Sequence, residues 1–170
     1  MSDAIAKHLL ALGSEAEGAL HRCCGSAAFA RRMAAGLPYA DDAALFDAAE
    51  RVWWTLQPED WREAFSHHPE IGGSIEALRE RFAATSAWSA GEQAGVAGAS
   101  EATLAALAAG NRAYRERFGY VFLICATGRS ADEMLAALRG RLANAPADEL
   151  RIAAAEQARI TRLRLEKLCP

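Results

Sequence analysis

The chain has 170 residues and a formal net charge of −3, and 41 of its residues are alanine. Of the 47 other apolar residues, 18 are leucine and only nine are valine or isoleucine. Pleated sheet faces need β-branched side chains, whereas alanine and leucine are the strongest helix formers, so an all-β fold and a parallel-sheet α/β fold are excluded.

The expected architecture is all-α: a single domain over residues 1–170, with about eight to nine helices and one short extended segment near 120–126. In chain order, two short helices at 3–12 and 14–22 break at Gly13, and a third runs over 26–35 and stops at Gly36-Leu37-Pro38. Asp41-Asp42 cap a helix over 42–57 whose Leu45, Ala49, Val52, Trp53 and Leu56 share one face. Pro58 suits the first position of a short helix through Phe65. His67 to Gly73 reads as a loop, because the residue before Pro69 avoids helical dihedrals and paired glycines stop regular structure. Helices at 74–82 and 89–95 follow, with a break at 94–99. Residues 100–118 form the clearest helix, with Leu104, Leu107, Asn111, Tyr114 and Phe118 on one stripe and Gly119 closing it. Tyr120 to Ala126 is the single strand-like run, and one run cannot build a sheet, so it is expected as a buried extended segment. Helices over 130–143 and 146–168 complete the chain.

The charge balance, 19 Lys+Arg against 22 Asp+Glu without a long run of one sign, argues against general nucleic-acid binding. Nothing approaches a transmembrane length, and the start Met1-Ser2-Asp3-Ala4 lacks the basic and apolar regions of a signal peptide, so cytoplasmic residence is expected. Cys23, Cys24, Cys125 and Cys169 form no CxxC pair and are read as reduced thiols rather than a zinc site.

Four polar features interrupt the alanine-leucine background. His68 precedes proline in a Gly-terminated loop, which suits either a surface hydrogen bond or a general acid/base held by a stiff dipeptide. Ser89-Ala90-Gly91-Glu92-Gln93 is a capping box, in which Glu92 reaches back to the serine amide. The same helix N-terminus, if it faces a pocket, favours a bound anion. Asn111 is read as structural, anchoring the loop around 119–129, and Ser130 with Glu133 as a second capping box. Arg164 falls on a stripe with Leu150, Ala153, Gln157, Ile160 and Leu168; a buried arginine needs an anion, from an internal carboxylate or from substrate. Arg159 and Arg162 point to other sides. A metal-dependent hydrolase using His67, His68 and Glu70 is disfavoured, because adjacent histidines project differently.

Together these residues carry a resemblance. Cys24-Gly25-Ser26, Trp61 to Phe65 leading into His68-Pro69-Glu70-Ile71-Gly72, Ser89 to Gly95, Asn111 to Gly119, Phe122 to Ala126, Gly128-Arg129-Ser130, Arg141 to Asn144 and Ile160 to Leu165 are similar, in order and spacing, to the family of OHCU decarboxylases. These enzymes act on 2-oxo-4-hydroxy-4-carboxy-5-ureidoimidazoline (OHCU) and form (S)-allantoin in urate breakdown. The resemblance covers roughly residues 20–168 and implies an all-helical, cofactor-free homodimer without bound metal. It places the catalytic histidine on His68 and its acidic partner on Glu92. Substrate contacts fall on Pro69, Ser89, Ala90, Gly91 and Gln93, and on backbone groups of Phe122, Leu123, Ile124, Cys125 and Ala126. The substrate-binding arginine falls on Arg164, with Arg162 as the alternative register.

Overall fold

The computed structural model describes residues 2–69, 76, 80 and 100–169. Among them there are eight α-helices and no strand. The chain divides into two compact units, Met1–His67 with Ala154–Pro170, and His68–Ala153.

In the first unit, α1 (Ala4–Ala11) leads through a short 3-10 turn at Gly13–Glu15 into α2 (Ala16–Cys24). The N-terminus of α1 is capped from a distance: Asp42 Oδ1 accepts from Ile5 N at 3.0 Å and from Ala6 N at 2.9 Å. These bonds and one from the Ser2 side chain outweigh burial and hold the Asp42 carboxyl below the usual carboxylate range. Helix α2 ends on Gly25 at φ +86°, where a Cβ would stand 3.0 Å from His67 Cβ and 3.2 Å from the Ala64 carbonyl. Glycine is therefore needed there for its dihedral and for the close approach. The buried Ser26 caps α3 (Ala27–Ala35) through Phe29 N, and Asp41 caps α4 (Asp42–Trp54) through Ala44 N.

Helix α4 stops at Trp54, three residues short of the expected end. Pro58 forces Gln57 into an extended conformation (φ −81°, ψ 157°), and Gln57 with Asp60 forms a capping box for α5 (Pro58–Ser66). Leu45, Ala49, Trp53 and Leu56 are buried as the periodicity predicts, while Val52 is half-buried. The indole of Trp53 donates to Ala154 O at 2.9 Å and that of Trp61 to Trp53 O at 3.0 Å, tying α4, α5 and the C-terminal helix together.

The second unit is built on α6 (Glu101–Phe118), α7 (Ala131–Leu142) and the start of α8 (Pro146–Glu166). Ser100 caps α6, which closes on Gly119 at φ +83°. Ser130 and Glu133 make the expected capping box on α7, with bonds of 2.8 and 3.1 Å. Leu104, Leu107, Ala108 and Tyr114 of α6 pack against Met134, Leu135 and Leu138 of α7, with Phe122 and Ile124 completing the core. Residues 121–126 form no strand and run as an extended segment, buried from Val121 to Ile124. The helix expected at 74–82 is described at Glu76 and Glu80, both helical, and that expected at 89–95 lies outside the described residues.

Helix α8 corrects one expectation. Its buried face runs through Ala153, Ala154, Gln157, Thr161 and Leu165, one residue round from the stripe anticipated through Ile160 and Arg164. Ile160 and Arg164 are half-buried, on its flank.

Candidate functional site

Helix α5 delivers the two histidines. His67 is its C-cap, with its amide donating to Ala64 O at 3.2 Å, and its exposed ring meets the His21 ring edge-on with centroids 5.2 Å apart. His68, the next residue, is half-buried, and Pro69 is exposed. The two adjacent residues thus differ in exposure. Ser89, Ala90, Gly91, Glu92 and Gln93, as well as Glu70 of the disfavoured metal reading, lie outside the described residues.

Arg164 belongs to the first unit. Its Nη1 donates to the Cys23 carbonyl at 3.4 Å, in the last turn of α2. Carbonyls at a helix C-terminus are partly unsatisfied and carry the negative end of the dipole, which suits a guanidinium. Arg162, the alternative register, is exposed; it bonds Glu166 at 3.2 Å and covers the Phe46 ring at 4.3 Å, so its charge already has local partners. Arg159 likewise pairs with Glu156 at 2.7 Å. Burial pushes the Cys23 thiol up to about 11, against the opposing charges of Arg164 and Arg22. Burial pushes Cys24 to about 12, despite hydrogen bonds from the Ser26 backbone and the Thr161 side chain.

In the second unit a buried polar network grips the extended segment. Arg141 donates from Nε to Glu149 Oε1 at 2.7 Å, and its Nη2 stands 2.6 Å from the same oxygen. Its Nη1 donates to the Leu123 carbonyl at 2.6 Å, and its guanidinium lies over the Phe122 ring at 4.6 Å. Tyr114 donates its hydroxyl to Glu149 Oε1 at 2.5 Å, and Asn144 Nδ2 donates to Oε2 at 3.0 Å. Glu149 and Tyr114 have no solvent exposure, and Arg141 has 8%. Burial, reinforced by the hydrogen bond to Glu149, pushes the Tyr114 hydroxyl far above the ordinary phenol range, so it remains a donor.

Sequence reasoning matched Arg141 and Asn144 as part of a motif but assigned them no function, and it passed over Glu149 entirely. A glutamate in the first turn of a helix looks like a solvated dipole partner; the available signal was the arginine-asparagine pair five to eight residues before it.

A model of the family described as OHCU decarboxylase matches residues 13–166. The uric acid degradation bifunctional protein TTL of Arabidopsis thaliana is 40% identical over 148 residues, covering 86% of this chain and 45% of that protein. The 2-oxo-4-hydroxy-4-carboxy-5-ureidoimidazoline decarboxylase of Amia calva is 44% identical over 62 residues, 35% of each protein. The chain therefore spans less than half the length of these curated relatives. A crystal structure of OHCU decarboxylase in the presence of (S)-allantoin is 39% identical with a TM-score of 0.69, covering 87% of this chain and 94% of that one. A crystal structure of (S)-allantoin synthase, 20% identical over 96% of this chain and 53% of its own, shares the fold at a TM-score of 0.69.

Proposed function

The chain belongs to the OHCU decarboxylase family, and from that premise we propose that it converts OHCU to (S)-allantoin and carbon dioxide in urate degradation. The observation that carries this reading is the 39% identity to a solved OHCU decarboxylase of which 94% is covered. One decarboxylase domain over residues 1–170, a homodimer and a cytoplasmic setting complete the proposal. Among the described residues no helix is long and apolar enough to cross a membrane.

The substrate supplies its own electron sink. Its carboxylate sits on a carbon that also bears a hydroxyl and adjoins a C=N bond. When the carbon–carboxylate bond breaks, its electron pair forms a C=C bond, and the imine pair takes a proton at nitrogen. The enol then loses its hydroxyl proton and gains one at the neighbouring carbon, giving allantoin. The protein has to position the substrate and manage those protons, without metal or organic cofactor. In this reading His68, oriented by Glu92, handles a proton of the hydroxyl or carboxyl group. Arg164, Pro69, Ser89, Ala90, Gly91, Gln93 and the backbone of Phe122, Leu123, Ile124, Cys125 and Ala126 hold the substrate, and protonation from one face sets the (S) configuration.

The half-buried position of His68, just past the C-cap of α5, supports this role, because the residue is neither sealed in the core nor fully in solvent. The test is to generate OHCU in place with urate oxidase and the hydrolase that follows it, then to measure carbon dioxide release and allantoin optical activity. Both accelerate over spontaneous decay, and His68→Ala lowers the rate by about 10²-fold or more without altering helical content. Racemic allantoin at the spontaneous rate with the wild-type chain overturns the activity; normal turnover by His68→Ala overturns the residue assignment.

A further inference from the structure

We propose that Arg141 is a positioning residue for this reaction: anchored on Glu149, it fixes the Leu123 carbonyl and thereby the orientation of the main chain of Phe122 to Ala126 toward the substrate. The inference rests on the decarboxylase reading given above and adds to it a residue that touches no reacting atom.

An extended segment outside a sheet has no ladder to hold its peptide planes. Here one plane is held by a side chain instead. Arg141 Nη1 reaches the Leu123 carbonyl at 2.6 Å, while Nε donates to Glu149 Oε1 and Nη2 stands against that oxygen and donates to the Tyr114 hydroxyl at 3.4 Å. The guanidinium is planar and lies 4.6 Å over the Phe122 ring, so its bonds and its stacking fix it in one plane. Glu149 is itself immobilised: Arg141 Nε, the Tyr114 hydroxyl and Asn144 Nδ2 donate three hydrogen bonds to it, and Arg141 Nη2 stands in ion-pair contact. The chain from α8 through Glu149 and Arg141 to Leu123 is therefore rigid and buried at every link.

The consequence for the segment follows from peptide planarity. In a trans peptide the C=O and the following N–H point in opposite directions. With the Leu123 carbonyl held by Arg141, the Ile124 amide is directed to the other side of the segment. Among the described residues nothing accepts the hydrogen of that amide, although Ile124 is only 4% exposed. A directed main-chain donor suits a substrate oxygen. Lysine at position 141 supplies charge but not the forked geometry needed to bridge Glu149 and Leu123 together.

The test compares wild type, Arg141→Lys, and the double variant Arg141→Met/Glu149→Gln, which leaves no unpaired buried charge. Thermal melting establishes that each is folded; amide hydrogen exchange reads the order of residues 122–126; steady-state kinetics on OHCU generated in place separates KM from kcat. The expected result for a folded variant is faster exchange at Ile124 and Cys125 and a KM raised about tenfold or more, with kcat changed much less. A purely structural role would lower the active fraction without moving KM. If Arg141→Lys fails to fold, the double variant carries the same comparison. An active wild type with unchanged KM or unchanged exchange in the folded variants overturns this inference alone. A wild type without OHCU turnover overturns the activity, and this inference falls with it.

Discussion

Glu149 sits without solvent exposure among three hydrogen-bond donors, one of them part of a positive charge. Removing only the anion strands Arg141 in a buried site, and uncompensated buried charges cost about 3–5 kcal/mol. Glu149→Ala is therefore expected to destabilise by that amount in urea melts. Tyr114→Phe deletes one donor of the three and keeps the ring packed on Phe118 and Phe122, so its cost should be about 1.5–3 kcal/mol, the range for a hydrogen bond to a charged group. If Tyr114→Phe proves as costly as Glu149→Ala, the network is not organised around the carboxylate. Arg141, Glu149 and Tyr114 also mark where sequence reading stops. Tyr114 and Glu149 meet across 35 positions, and no local period signals such a contact. His68 stands out in the sequence because proline constrains its immediate neighbour, a purely local effect, and its role is what the His68→Ala comparison tests.

At the scale of the helix, caps were the most legible feature and registers the least. Asp41, Ser130 with Glu133, and Gly119 all behave as their local sequence implies, because a cap joins residues three or four apart. The cap on α1 escaped notice because its acceptor, Asp42, comes from 36 and 37 residues further on. An isolated helix of eight residues is too short to be stable in water, so α1 depends on that carboxylate. Asp42→Ala should cost about 1–2 kcal/mol, as loss of a cap does. Because the folded carboxyl titrates below its unfolded value, this stabilisation is present above the ordinary carboxylate range and is lost as pH falls through the folded pKa. An acid melt in which wild type and Asp42→Ala converge as pH falls checks both statements. Helix α8 was misregistered by one residue for a different reason: alanines at 153, 154, 155 and 158 occur all round it and mark no face. Between α6 and α7 the packing is tight enough to reverse helix propensity. A Cβ at Gly110 would stand 2.6 Å from Leu138 Cδ2, and Leu138 has no exposed surface into which to move. Gly110→Ala gains about 1 kcal/mol of propensity against an overpacking cost of about 1–3 kcal/mol. The expected outcome is a lower or unchanged melting temperature, and a clear rise would show that the interface yields.

At the scale of the whole molecule, the alanine-leucine composition sufficed to predict the helical class, while the polar exceptions carried the resemblance to the family. Cys23 and Cys24 are buried, whereas Cys125 and Cys169 are half-buried. With Cys23 at about 11 and Cys24 at about 12, the thiolate fraction of either at pH 8 is about 0.1% or less. A thiol reagent at that pH should therefore react rapidly with Cys125 and Cys169, and with Cys23 and Cys24 only after denaturation. Both buried thiols titrate above their unfolded value of 9.0. The stability they contribute is complete below that pH and is lost as pH rises through about 11 and 12. Rapid labelling of all four cysteines in the native protein would contradict the burial of the α2 C-terminus.

The aromatic cluster that ties α4 to α5 has an optical consequence. Trp53, Trp54 and Trp61 account for three of the four tryptophans, and each lies within 6.1 Å, centroid to centroid, of another ring of the three. All three belong to the unit formed by Met1–His67 with Ala154–Pro170. Intrinsic fluorescence therefore reports mainly on that unit, while a label on Cys125 reports on the other. Superimposing the two signals along one denaturant series reads directly whether the chain unfolds in one step or two.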